Sequence, residues 1–305
     1  MNGNAINTSI DKEFLNNFSL IYNSTHDKNV LKFYCPQVDA NSFCYENIID
    51  SLREAAAHYC LSKRTWEEVK NRPMKLSHMV REKFRNIDAN EGELGELLLF
   101  SFLESDLNAP KILTKMELKT NPNMYINGAD AVHFLKLSDG NYQLIFGESK
   151  AYKTLKGGID AALDSIYCFK NNTIKGNNPA RSYGITYERG LLCSYITNET
   201  YNEDEALFLK SIIYPKEENR FEVDTAFAVF VLFNFTILKK YKVMSNSDFR
   251  KWLHNNLQNS IKSIEPNIIK KIESKGLNGH HFYFYLLPID KLDANRKILL
   301  EKVIE

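Results

Sequence analysis

The sequence predicts an α/β protein, a mixed β-sheet with helices packed on its faces. Three observations lead there. The run Ala226–Phe235 is almost wholly apolar, as a strand buried on both faces must be. Asp130–Leu137 and Asn141–Glu148 read as two strands around the turn Ser138-Asp139-Gly140. Stretches of helical period lie between such runs instead of gathering at one end of the chain.

Taken in order, residues 1–26 are polar and rich in Asn, and read as a short helix or an extended arm; Val30–Cys35 reads as a short strand. From Asn41 to Leu61 the apolar residues Phe43, Ile48, Ile49, Leu52, Ala55, Ala56 and Tyr59 recur at helical spacing, with no Gly or Pro between them. A basic, helical stretch follows and is broken near Pro73. Asn90 with Glu93 three residues on is a capping-box signature, and Leu94, Leu97, Leu98, Leu99, Phe100, Phe102 and Leu103 make the helix behind it strongly apolar. Ala161–Lys170, Phe249–Ile272 and Leu292–Ile304 carry helical stripes, whereas Leu191–Ile196 and His281–Leu287 are β-branched or aromatic runs that read as strands.

Composition narrows the class. A chain of 305 residues with 44% hydrophobic and 25% charged residues is an ordinary globular mix, which excludes disorder, collagen and coiled coil. No apolar run reaches the roughly 18 to 20 residues that span a bilayer, and the N-terminus has no charged region followed by an apolar one, so a cytoplasmic protein is expected. The five cysteines lack Cys-x-x-Cys spacing and read as buried thiols; no His-x-x-x-His occurs either, which argues against a zinc enzyme. The net charge of +1 hides blocks: Lys63–Arg85 is basic, Glu199–Asp224 acidic and Lys239–Lys275 basic again. Such blocks suit a face that tracks phosphates and another for a protein partner, or are simply solvated helix faces.

The chemistry concentrates between Asn90 and Lys150. An apolar strand, Leu144-Ile145-Phe146, runs into Gly147-Glu148-Ser149-Lys150. Side chains alternate along a strand, so Glu148 and Lys150 continue the face of Leu144 and Phe146 while Ser149 points away. Charged groups set against a core need partners or a metal. A three-residue loop with Gly140 at its third position centres the hairpin on Asp139; Phe134 then meets Leu144, Val132 meets Phe146, and Asp130 meets Glu148. A one-residue slip would flip the whole face, so the hydrophobic register favours this pairing. Two carboxylates side by side repel, and a divalent cation relieves that repulsion. A third acid, Glu96, lies on a mostly apolar side of the Asn90 helix, where a lone carboxylate is costly without a role; Glu93 is accounted for by the capping box. Phosphodiester hydrolysis fits this set. Asp130 and Glu148, with the Ser149 backbone carbonyl and Glu96, would hold Mg²⁺ or Mn²⁺, and Lys150 would orient or deprotonate the attacking water, its pKa lowered by partial desolvation. Lys115 and Lys119 could meet phosphate but read first as solvent-facing; His133 and the aromatic run Phe282–Tyr285 read as core.

A helix acid, an Asp at a strand start and a Glu-x-Lys at the end of the next strand resemble the PD-(D/E)XK nuclease superfamily, with Gly128-Ala129-Asp130 in place of Pro-Asp. More narrowly, Glu93-Leu94-Gly95-Glu96-Leu97-Leu98, Gly128-Ala129-Asp130-Ala131-Val132-His133 and Gly147-Glu148-Ser149-Lys150-Ala151-Tyr152 resemble the HamA family, nuclease subunits of the bacterial Hachiman anti-phage defence system. The match is best over residues 88–170. Glu93 and Glu96 both sit in the matching stretch, so either can be the helix acid. The resemblance implies a restriction-endonuclease-like fold, a DNA nuclease and a helicase partner, HamB, that restrains it. On this reading residues 1–87 form a mostly helical extension, 88–240 the nuclease core, and 241–305 a helix-strand-helix unit packing on it. The rival expectation is a catalytically inert subunit of the same fold that binds DNA or scaffolds the helicase.

Overall fold

A twelve-residue apolar strand, Val223–Asn234, sits at the centre of the protein and every other layer is arranged around it. The computed structural model describes residues 6–84, 92–118, 128–174, 178–179, 183–198 and 202–305. A 3₁₀ turn (Lys12–Asn17) leads into β1 (Phe18–His26), β2 (Asn29–Pro36) and a small hairpin, β3 (Val38–Asp39) with β4 (Ser42–Phe43). Then come α1 (Glu46–Cys60), α2 (Lys63–Val69), α3 (Pro73–Lys83), α4 (Glu93–Ser105), β5 (Lys111–Thr114) and the single turn α5 (Lys115–Leu118). The hairpin β6 (Ala131–Lys136) and β7 (Tyr142–Tyr152) precedes α6 (Leu155–Lys170), the short pair β8 (Thr173–Ile174) and β9 (Asn178–Pro179), α7 (Ile185–Asn198) and α8 (Glu203–Ile213). The central strand is β10; α9 (Lys239–Lys242), α10 (Asn246–Ser274), β11 (His281–Ile289) and α11 (Leu292–Ile304) complete the chain.

Seven strands form one mixed sheet in the order β1-β2-β11-β10-β7-β6-β5. β10 runs parallel to β7 and to β11, β11 parallel to β2, and the pairs at either end are antiparallel. Strands from all three ranges anticipated from the sequence thus meet in one sheet. Alternation along β10 builds two cores: Ala226, Ala228, Phe230 and Leu232 face α1, α4 and α11, while Phe227, Val229, Val231 and Phe233 face α6, α7, α8 and α10. A strand buried on both faces cannot alternate in polarity, which is why its sequence is continuously apolar.

Several local expectations are corrected. Residues 18–26, read as part of a polar arm, form an edge strand; only Phe18 and Ile21 are buried on it, and so weak an alternation hides a strand. Leu191–Ile196, read as a strand, lies inside α7, where Glu188, Leu192 and Ile196 are buried at a spacing of four. The helix expected from Asn90 begins at Glu93 with Gly92 at the capping position and no side-chain cap; Asn90 itself lies outside the described residues. Of the cysteines, Cys35 and Cys60 are buried and the other three only partly so. Among the described residues no helix is long and apolar enough to cross a membrane.

Candidate active site

The hairpin sets the site. Gly140 takes a φ of +90°, the left-handed value the three-residue loop requires, and the Leu137 amide donates to the Asn141 carbonyl at 2.8 Å. Phe134 then opposes Leu144 and Val132 opposes Phe146, the register expected from the hydrophobic pattern. The β6 ladder ends with Ala131 opposite Gly147, and the Asp130 amide donates to the Gly147 carbonyl at 2.9 Å. β7 continues past this point, paired on its other edge with β10: Glu148 lies opposite Val229 and Lys150 opposite Val231. On the open edge, the buried Asp130 carboxylate replaces the missing strand: its Oδ2 accepts the Ser149 amide at 2.8 Å. The N–H and C=O of one strand residue leave on the same side, so the Ser149 carbonyl is also directed to the Asp130 edge.

Two cations neutralise the two carboxylates. Lys115 donates to Asp130 Oδ1 at 3.2 Å, and Lys150 pairs with Glu148. Lys115 thus turns inward instead of facing solvent. Burial would lower its pKa, but Asp130, then Glu96 and Glu148, hold it above the ordinary lysine value. Burial first, and the neighbouring Asp130 charge second, raise the Glu148 pKa against the pull of Lys150 and Lys115. For Lys150 burial is again opposed, chiefly by Glu148, and the net shift is upward. The expectation of a lowered lysine pKa is therefore corrected: the ion pair outweighs desolvation and keeps Lys150 charged.

Glu96 approaches from the other face of the sheet. α4 packs against the layer that contains Ile145, and Gly95 lets it approach so closely that a Cβ there would strike Ser149 Oγ. Glu96 is buried and accepts the Tyr59 hydroxyl at 2.8 Å. Glu93, the first helical residue and not the third, is buried too. Both acids stand in the first turn of α4, where the helix dipole favours negative charge. Among the described residues no three His, Cys, Asp or Glu side chains converge as a metal cage. What converges is two carboxylates on one sheet face and a carbonyl at one strand edge, a hard, all-oxygen donor set of the kind Mg²⁺ takes together with several waters. The donors present fit such an ion.

One acidic residue near the site went unread in the sequence. Glu188 of α7 is 3% exposed, its carboxylate lies against Gly128, and its pKa is raised to about 7, first by burial. A glutamate at the head of the stripe Glu188, Leu192, Ile196 was the available signal, masked by reading the following run as a strand. The remaining expectations divide. His133 is buried on the α4 side, its Nδ1 2.8 Å from the Ala109 carbonyl, and Phe282–Tyr285 is core. Lys119, Arg85 and Glu199 lie outside the described residues. The first basic block and the acidic block touch each other, with Lys63 paired to Glu205 at 3.0 Å.

The family model described as HamA matches residues 9–303 of the chain. No curated protein matches it.

Proposed function

The chain belongs to the HamA family, and from that premise we propose that it is a metal-dependent deoxyribonuclease, the effector subunit of a Hachiman anti-phage complex held in check by a helicase partner, HamB. The observation that supports hydrolysis is the Asp130–Glu148–Lys150 arrangement at the open edge of β7, with the Asp130 carboxylate on the Ser149 amide. Asp130, Glu148 and the Ser149 carbonyl would hold Mg²⁺ or Mn²⁺. The ion would polarise a phosphate oxygen and lower the pKa of a bound water. Lys150, paired with Glu148, is suited to orienting the attacking water and to balancing negative charge that grows on the phosphate. Glu96 would support the site from behind the sheet, near Lys115, instead of ligating the ion beside Asp130. The helicase partner follows from family context.

The test is cleavage of linear, nicked and supercoiled DNA by the purified chain, with and without the helicase, in Mg²⁺ or Mn²⁺. Glu148→Gln and Lys150→Ala should each lower the rate by at least about a hundredfold, the scale on which a single electrostatic group acts, while leaving thermal unfolding cooperative. Metal-dependent cutting that survives in both variants would remove the assignment. DNA binding without cutting, in the presence of the helicase, would favour the inert-subunit reading.

A further inference from the structure

We propose that Glu188 is a positioning residue of this site: its carboxylate fixes the Gly128–Ala129 turn and thereby sets where the Asp130 carboxylate stands. The proposal rests on the metal-dependent reading above.

The Asp130 backbone is tied to Gly147 of β7 on one side and to Lys115, just after β5, on the other. Its amide bonds the Gly147 carbonyl, its carbonyl accepts the Lys115 amide at 3.0 Å, and its carboxylate bonds Ser149 and Lys115. Immediately before it the chain leaves the sheet through Ala129 and Gly128, and Gly128 has a φ of +149°, a value L side chains rarely adopt. Glu188 braces this exit: its carboxylate packs directly on the Gly128 Cα. A Cβ at Gly128 would lie 2.5 Å from Glu188 Oε2. Glycine is thus required there by backbone and by space, and the space is filled by a carboxylate. Among the described residues Oε2 has no hydrogen-bond partner. A buried carboxylate oxygen left without one is costly, and an apolar side chain would fill the same space without that cost. Lys115 and Asp130 both act on the charge of Glu188, so it shares with Asp130 the field of one ammonium. Groups that orient a ligand from behind typically change metal affinity by about tenfold or more when removed.

The experiment follows Mn²⁺ alone, as the titration midpoint of thermal stabilisation of the full chain, together with the kinetics of DNA cleavage. Glu188→Ala should move the Mn²⁺ midpoint up by about tenfold and lower kcat with KM for DNA within about twofold. Glu188→Gln keeps a planar head of the same size against the Gly128 turn and should restore both to within about threefold. A purely packing role would lower the melting temperature of Glu188→Ala and leave the Mn²⁺ midpoint where it was, and that result overturns the proposal. Should Glu188→Ala fail to fold, Gly128→Ala probes the same contact, since its Cβ displaces the carboxylate; a wild-type midpoint in a folded Gly128→Ala overturns it equally. A wild-type chain with no Mn²⁺ response overturns the metal reading and this proposal together, and is recognised by the wild type alone.

Discussion

At Asp130 one carboxylate performs three tasks at once: it closes the hydrogen bond β6 no longer supplies, it neutralises Lys115, and it keeps an acidic neighbour beside Glu148. Asp130 and Glu148 could be read from the sequence because strand alternation and one glycine turn fix their register. Glu188 could not, because it packs against a backbone turn at Gly128, sixty residues earlier, and no local period reports such a contact. His133 shows the same physics in the core. It is wholly buried, Nδ1 bonds the Ala109 carbonyl, and burial, aided by Lys111, pulls its pKa down to about 3. An unfolded histidine titrates near 6.5, so above that pH both states are neutral and the full stability is present. As pH falls through 6.5 the unfolded chain takes up a proton the folded one refuses, and stability is lost progressively toward pH 3. Between pH 7.5 and 5.0 the wild type should lose about 2 kcal/mol more than His133→Asn, measured by urea unfolding at both pH values. Equal losses in the two proteins would mean that His133 is free to protonate in the fold.

At the scale of elements, α4 and the hairpin are set against each other with no spare room. Every residue of α4 is buried, so its strongly apolar sequence is dictated by position: Phe102 alone packs its ring against Phe14, Phe18, Tyr34, Phe230 and Tyr285. That helix was legible because its apolar run outlasts any strand. α7 was not, because a short run of Leu, Cys, Tyr and Ile fits either period, and only the buried Glu188 at its head marks the helical one. α4 and β7 meet at Gly95 and again at Gly147, where a Cβ would sit 2.8 Å from Leu99 Cδ2 and 3.2 Å from the Ala131 carbonyl oxygen. Gly147→Ala should therefore cost about 1 to 3 kcal/mol through overpacking. Leu99 is one of the two crowded partners, so combining Gly147→Ala with Leu99→Ala should cost less than the sum of the single changes. Calorimetric melting of the four proteins checks this; strict additivity would show that Gly147 and Leu99 are not in contact.

At the scale of the whole molecule, the sheet that carries the site is assembled from four separated stretches of chain: residues 18–36, 111–152, 223–234 and 281–289. The central strand was legible as central, since only burial on both faces tolerates so continuous an apolar run. The order of its neighbours was not, because parallel partners such as β2 and β11 lie some 250 residues apart and share no local pattern. This arrangement bears on whether residues 88–240, which hold Asp130, Glu148, Lys150, Glu96 and Glu188, can stand alone. In that fragment β10 would keep β7 on one edge but lose β11, and with it β2 and β1 beyond. Its other edge would expose a long, flat, apolar strand, a template for pairing with other chains. The α4 face would lose Phe14, Phe18, Tyr34 and the buried residues of α1 and α11, and α10 would be gone from the opposite face. The fragment should therefore aggregate on expression and show no cooperative melting, while the full chain melts cooperatively. Extending it to 88–305 restores β11 and α10 but leaves α1 and the first two strands missing, so partial recovery of solubility without a sharp transition is expected. A cooperatively folded 88–240 fragment that still binds Mn²⁺ would show instead that the outer strands are decoration, and that the site depends only on the β6–β7 hairpin and the helices it touches.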